Sequence, residues 1–132
     1  MKNIIHAQGS RKQAVARAVL YQDGKGNVII NNQKLEQYGN DVSRLRISEP
    51  LVLMGAKAKS VNINVTVNGG GMNGQADAIR LAIARALVQH DPKLKKEFTE
   101  YDRLLLVADV RRKEVCKPND SKARAKRQKS YR

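Results

Sequence analysis

The stretch SVNINVTVNGGGMNGQADAIRLAIARALVQ, Ser60–Gln89, decides most of the fold predicted for this chain of 132 residues. Apolar residues at positions 61, 63, 65 and 67 alternate with Asn and Thr, which predicts a strand with one buried and one polar face. After three glycines the pattern changes to that of a helix, Met72–Gln89. The apolar stripe expected to pack on the sheet contains Met72, Ala76, Ile79, Ile83, Ala86 and Leu87. Leu81 and Val88 lie on the other side, so we expect a second element or a partner to cover them.

Shorter patterns predict the elements on either side. In the first third we expect strands at Lys2–Ala7, Ala14–Tyr21 and Val28–Asn31, the last two joined as a hairpin through the glycine-containing turn Asp23–Asn27. Further along we expect a helical turn at Lys34–Tyr38 and then a helix from Ser48, with Pro50 in its first turn and Gly55 at its end. Asp91 and Pro92 open a helix predicted at Lys93–Tyr101. The last predicted strand is Leu104–Ala108.

The charge of the chain is strongly positive, a net +14. Residues 111–132 hold ten basic and two acidic residues, a net +8, and residues 1–110 carry the other +6. The apolar pattern also stops at Arg111. We therefore predict a globular domain, 1–110, and an extended basic tail, 111–132, that is disordered when free and binds a polyanion.

Composition argues against several classes of protein. No run approaches the ~20 apolar residues of a membrane-spanning helix, and the start MKNIIHAQGS lacks the apolar segment of a signal peptide. A single cysteine gives no disulfide framework, which suits a reducing cytosol.

The segment Gly69–Gly74 satisfies the dinucleotide-binding pattern G-x-G-x-x-G. A nucleotide fold would need a buried strand before the glycines and a second parallel strand about twenty residues later. Here the preceding strand is half polar, and His90–Pro92 starts a helix. Two interpretations stay open: the glycines let a phosphate backbone approach a helix N-terminus, or they only make a tight turn.

Catalytic or metal-binding constellations are not visible in the sequence. Cys116 has basic neighbours, but neither His6 nor His90 is tied to it by any pattern, and we expect a surface thiol. One cysteine and two scattered histidines give no metal-ligand spacing. We predict no catalytic residue, metal or cofactor.

Three segments carry a resemblance to a known family. They are GSRKQAVA at Gly9–Ala16, the central GGG, GQ and AIARAL within Gly69–Leu87, and AR with QKSYR within Ala123–Arg132. On these, the chain resembles from end to end the universal ninth protein of the small ribosomal subunit in its archaeal and eukaryotic form. The terminal QKSYR and the short N-terminus favour the archaeal type.

The resemblance implies an α+β fold, a mixed, largely antiparallel sheet with two or more helices on one face, like the second domain of the fifth small-subunit protein. It implies a cytoplasmic, non-catalytic protein in the head of the small subunit. Its partners would be small-subunit rRNA, peptidyl-site tRNA and neighbouring head proteins, with no membrane and no small-molecule substrate. The sequence departs from the family pattern at two places. Val110 stands where the family commonly has a proline, and Asn119-Asp120 stands where it commonly has a glycine turn.

Individual residues follow from the resemblance and from the basic clusters. The tail tip, Lys129, Tyr131 and Arg132, is expected to contact tRNA. The residues expected to contact rRNA are Arg11, Lys12, Arg17, Gly70, Gly71, Arg111, Arg112, Lys122, Arg124, Lys126 and Arg127.

Two other functions remain open on the sequence. A free DNA-compacting or regulatory protein would need an exposed recognition helix or a dimer face. A nucleotide-dependent enzyme would use the glycine loop.

Overall fold

The computed structural model describes residues 3–119, 122–126, 128 and 130. The strands are β1 (Ile4–Arg11), β2 (Ala14–Tyr21), β3 (Val28–Ile30), β4 (Gln33–Lys34) and β5 (Asn62–Asn68), and the helices are α1 (Asp41–Met54), α2 (Met72–His90) and α3 (Leu94–Tyr101). The strands form one sheet in the order β1-β2-β5-β3-β4. Only β3 and β5 pair in parallel. This confirms the α+β class and the mixed, largely antiparallel sheet.

The first hairpin joins β1 and β2, from Ile4↔Tyr21 to Arg11↔Ala14. Lys12 makes the turn with a positive φ of 54°. β2 has the predicted bounds, and its two faces differ: Ala14, Ala16, Ala18 and Leu20 are buried, whereas Arg17 is exposed. β1 runs four residues further than the predicted Lys2–Ala7, which brings Arg11 to the end of the hairpin.

The predicted hairpin through Asp23–Asn27 is wrong. β5 lies between the two strands, antiparallel to β2 and parallel to β3. The glycine-containing loop crosses the start of β5 instead: the Gly24 N–H donates to the Ser60 carbonyl at 2.9 Å, and the Gly26 N–H donates to the Val61 carbonyl at 3.1 Å. β5 is the central strand of the sheet, and its buried side chains, Ile63, Val65 and Val67, are part of the core.

The true partner of β3 is β4. Asn31 and Asn32 join them with φ of 48° and 66°, the left-handed pair that a tight two-residue hairpin requires. The predicted helical turn after β4 is present as a short 3-10 turn, Leu35–Gln37.

Helix α2 lies on the sheet as predicted, and its buried stripe contains Ala76, Ile79, Ile83 and Leu87. Met72, expected in that stripe, is the first residue of the helix and is 60% exposed. Leu81 is covered by β1, and no partner is needed: a Cβ built on Gly9 would lie 3.0 Å from the Leu81 Cβ. Val88 is partly buried against the same core.

The predicted start of the middle helix at Ser48 is wrong. α1 begins seven residues earlier, where the Asn40 side chain accepts a hydrogen bond from the Ser43 N–H at 2.9 Å. Asn and Ser cap helices about equally well, but Ser48 lies inside the helix, where its hydroxyl donates to the Leu45 carbonyl at 2.8 Å. Pro50 lies inside the helix and is buried, and Gly55 ends it with φ of 73°, as expected. α1 and α3 both pack against α2.

The predicted last strand, Leu104–Ala108, is also wrong. The segment forms a 3-10 turn, Arg103–Leu105, because the Asp102 side chain accepts a hydrogen bond from the Leu104 N–H at 3.0 Å. Leu105 is fully buried, so the apolar run anchors the chain to α2 without joining the sheet. In the part of the chain that the structure describes, no helix is both long and apolar enough to cross a bilayer.

Candidate nucleic-acid interface

A groove of about 1040 Å³ opens where the β1–β2 turn, the loop before α2 and the chain after Asp109 meet. We call it the basic groove; its lining residues are Arg11, Lys12, Gln13, Gly70, Gly71, Met72, Asn73, Gly74, Arg111, Arg112 and Lys113. Five of these are Lys or Arg, and none is acidic. A concave surface with one sign of charge concentrates ligands of the opposite sign, so the groove selects anions.

The glycines shape the floor of this groove. Gly69 and Gly70 have φ of 80° and 65°. A Cβ on Gly69 would lie 2.6 Å from the Gln13 carbonyl oxygen, and one on Gly70 would lie 3.1 Å from the Ala14 Cβ. The tight-turn interpretation is therefore correct for these two residues, since only glycine combines this backbone with this approach to β2.

Gly71 serves a different purpose. It is the N-cap of α2, and a Cβ there would meet no heavy atom of the described residues within 4 Å. The first intrahelical bond runs from the Gln75 N–H to the Gly71 carbonyl at 2.9 Å. The N–H groups of Met72–Gly74 precede it and have no intrahelical acceptor, and they lie at the positive end of a 19-residue helix. This end of α2 therefore adds hydrogen-bond donors to the cationic groove.

The five cations of the groove are not equivalent. Arg11 has a side chain only 16% exposed and lies 3.3 Å from Asp109 and 3.8 Å from Asp77. Arg111 lies 2.6 Å from Asp109. Hydrogen bonds from Arg111, with the nearby charge of Arg11, hold the pKa of Asp109 far below its usual value, and the pKa of Arg111 is raised in return. These two arginines are therefore held mainly by the protein's own carboxylates and fix the path of the chain after Asp109.

Lys12, Arg112 and Lys113 remain for a ligand. All three are exposed, and among the described residues no carboxylate lies within 4.0 Å of them. Arg112 donates a hydrogen bond to the Ser10 hydroxyl at 3.3 Å, which places its guanidinium at the edge of β1.

A second cavity of about 350 Å³ adjoins the groove between α1, α2 and the turn after Asp102. Four arginines and four carboxylates line it, so its charges balance. Arg80 lies at its centre, 2.6 Å from Glu49 and 3.0 Å from Asp102. Burial raises the pKa of Asp102, but the hydrogen bonds from the Leu104 N–H and from Arg80 outweigh it, so the pKa is lowered overall. Its ion pairs link α1, α2 and the turn after Asp102, and its balanced charges give an anion little net attraction.

The structure brings together six of the predicted rRNA-binding residues. Arg11, Lys12, Gly70, Gly71, Arg111 and Arg112 all line the groove. Arg17 does not line the groove; it is exposed on the face of the sheet that points away from α2. In the tail, the Arg124 Nε lies 2.8 Å from Glu114, and Lys122 and Lys126 are exposed. Arg127, Lys129, Tyr131 and Arg132 lie outside the described residues.

Sequence reasoning missed several residues of the groove. Lys113 continues the Arg111-Arg112 pair and could have been included on that ground. Asn73 and Gly74 stood in the glycine motif, and Gln13 in the basic cluster before β2, but nothing local indicated that these segments meet. Cys116 is exposed and free, as expected. No group of three or more His, Cys, Asp or Glu side chains within the described residues could hold a metal ion.

Comparisons with known proteins point to one family. The model of the ribosomal protein S9/S16 family matches residues 9–132. Small ribosomal subunit protein uS9 of Picrophilus torridus is 45% identical, with all of both chains covered. The protein of the same name from Thermoplasma volcanium is 51% identical over 94% of this chain and 95% of its own. That of Methanothrix thermoacetophila is 44% identical over 98% of both chains.

Proposed function

The chain belongs to the ribosomal protein S9/S16 family, and from this premise we propose that it binds small-subunit rRNA through the basic groove and reaches peptidyl-site tRNA with its tail. It is a structural protein of the small ribosomal subunit, of archaeal type, and not an enzyme. As a ribosomal protein it acts in the cytoplasm.

The observation that carries the groove assignment is the convergence of Lys12, Arg112 and Lys113 on the N-terminus of α2. Phosphates displace condensed counterions when they meet such cations, which gives affinity without sequence specificity. The helix N–H groups add donors at the same place. Structured RNA, with phosphates from several strands close together, suits a concave site better than a single strand does.

The tail extends this role beyond the globular domain. Residues 111–132 leave from the groove itself, where Arg11 and Asp109 fix their starting point. Fourteen residue steps from Pro118 to Arg132 at ~3.3 Å reach up to about 46 Å. A basic tail of that length lets its tip, with Lys129, Tyr131 and Arg132, act far from the anchored domain. Lys122, Arg124, Lys126 and Arg127 would contact rRNA on the way.

A neighbouring head protein is the third proposed partner. Three apolar side chains on the outer side of α1 are largely exposed to solvent: Val42 (66% exposed), Leu45 (69%) and Val52 (74%). They recur at helical spacing, which is typical of a face that packs on another protein. The same face argues against a free DNA-binding protein with α1 as a recognition helix, since it presents apolar side chains where most base readout needs hydrogen-bond donors and acceptors.

The tail is tested by removing Ser130–Arg132 from the full chain. Subunits reconstituted with the shortened chain should assemble, but their affinity for peptidyl-site tRNA should fall. The control is Lys95→Gln, which removes the same single positive charge from α3. Unchanged tRNA affinity would remove the role of the tip and leave the groove untouched.

The groove is tested by comparing structured small-subunit rRNA with duplex DNA of equal length in a competition gel shift at 150 mM salt. Preference for RNA supports the proposal. Equal affinity would favour the free nucleic-acid-binding alternative.

A further inference from the structure

The face of the sheet turned away from the helices presents a second polar surface. Strand pairing sets two rows side by side on it. One row is Gln8, Arg17 and Thr66, from β1, β2 and β5. The next row crosses the whole sheet and consists of His6, Val19, Asn64, Ile29 and Lys34. We call these eight residues the open face.

The side chains of the open face are polar and uncrowded. Gln8, Arg17, Thr66, Asn64 and Lys34 are exposed, whereas Val19 and Ile29 are half-buried between them. The opposite face of the same strands is filled by Ala16, Ala18, Val65 and Val67 under α2. The strands therefore expose amides, hydroxyls and cations over most of this face, and its exposed apolar area lies at the start of β1, where Ile4 is 48% exposed.

Charge distinguishes this surface further. Within the part of the chain that the structure describes, none of the five strands contains Asp or Glu. The acidic residues lie in helices and loops, and many pair with arginines there. The eight residues of the open face thus include the cations Arg17 and Lys34 and no carboxylate, and Asp23, in the loop after β2, lines a cavity beside Asn64 and Ile29. This suits a polyanion and offers little to a protein partner, for which the apolar side of α1 is better suited.

The open face is also continuous with the basic groove. Ser10 follows Gln8 on the same side of β1, and its hydroxyl accepts the hydrogen bond from Arg112. A polyanion that leaves the groove over Arg112 would meet Gln8 and Arg17 next.

We propose that the open face is a second rRNA-binding surface, on which Arg17 and Lys34 pair with phosphates while Gln8, Asn64 and Thr66 bind ribose hydroxyls or base edges. Such contacts to phosphate and 2′-hydroxyl are how proteins hold RNA by shape. The inference rests on the proposed rRNA binding and extends it to the other side of the molecule.

Site-directed photocrosslinking in reconstituted small subunits tests this surface directly. The single native cysteine is first removed as Cys116→Ser, and a cysteine-reactive photocrosslinker is attached at Asn64→Cys on the open face or at Gln13→Cys in the groove. We expect both positions to crosslink to rRNA. If position 64 crosslinks to a protein or to nothing while position 13 reaches rRNA, the open-face inference is wrong and the groove assignment stands. If neither reaches rRNA, both are wrong.

Binding of the full chain to small-subunit rRNA gives a second readout. Replacing Arg17 and Lys34 by Gln should lower the slope of log affinity against log salt by ~1.8, so that the loss of affinity from 50 to 200 mM salt becomes about twelvefold smaller. The control, Lys59→Gln with Lys95→Gln, removes the same charge from surfaces outside the open face. A slope equal to that of the control would overturn the proposal.

Discussion

Removing the three available cations of the basic groove should change the salt dependence of rRNA binding by a calculable amount. The perturbation is the triple replacement of Lys12, Arg112 and Lys113 by Gln. Each phosphate contact contributes ~0.9 to the slope of log affinity against log salt, so three contacts contribute ~2.7. When the salt concentration rises fourfold, from 50 to 200 mM, the factor by which the affinity falls should be about 40 times larger for the wild-type chain than for the variant. Arg11 and Arg111 are left in place because Asp109 already holds them.

The assay is filter binding of the full chain to small-subunit rRNA over a series of salt concentrations. The control replaces Lys59, Lys95 and Lys96 by Gln; these are exposed, lie outside the groove and remove the same net charge. Circular dichroism verifies that both variants are folded. The reasoning is refuted if the groove variant keeps the wild-type slope, or if the control loses as much slope, since binding would then follow net charge alone.

Three further predictions concern the fold that supports the groove. Gly9→Ala should lower the free energy of unfolding by about 1–3 kcal/mol or more, because the new Cβ would lie 2.4 Å from a backbone oxygen of α2. Urea denaturation should show no comparable loss for Gly74→Ala inside α2, whose Cβ would lie 3.5 Å from the nearest heavy atom outside the helix, and equal midpoints would contradict the packing argument. The pKa of Asp109 is lowered by the hydrogen bonds from Arg111, so this carboxylate stabilises the folded state above its unfolded pKa of ~3.9, and that stabilisation is lost as the pH falls further. The difference in melting temperature between wild type and Asp109→Asn should therefore shrink between pH 6 and pH 3, whereas a constant difference would argue against the ion pair. Asn40→Ala should lower the free energy of unfolding by ~1 kcal/mol through the lost helix cap. Asn40→Asp should keep most of the capping stabilisation, and equal stability of the two variants would rule out capping.

Much of the local structure could be predicted from the sequence. The bounds of β2 and the start of α2 are those expected, and the buried and polar sides of β5 are assigned correctly. Errors arose where two local signals competed. Asn40 outweighed Ser48 as a helix start, and the Asp102 side chain turned the run Leu104–Ala108 into a turn.

Six of the eleven residues that line the basic groove were among those expected to contact rRNA, but their arrangement could not be predicted. The basic clusters around Arg11 and Arg111 are separated by a hundred positions, yet the Arg11 guanidinium reaches the Arg111 carbonyl at 3.5 Å. The same fold brings Asp109 to 3.3 Å from Arg11, so this arginine, which was expected to contact rRNA, pairs with a carboxylate of the protein itself. Lys12, by contrast, remains available as expected.

The sequence by itself determined the positive charge of this protein, the alternation of β5 and the apolar stripe of α2, because side-chain periodicity and charge are properties of a few neighbouring residues. Only the tertiary structure decided that β5 separates β2 from β3, and which arginines face carboxylates and which face solvent. Strand order depends on how segments far apart in the chain share one buried core, and the electrostatic role of a side chain depends on the neighbours that this sharing brings to it.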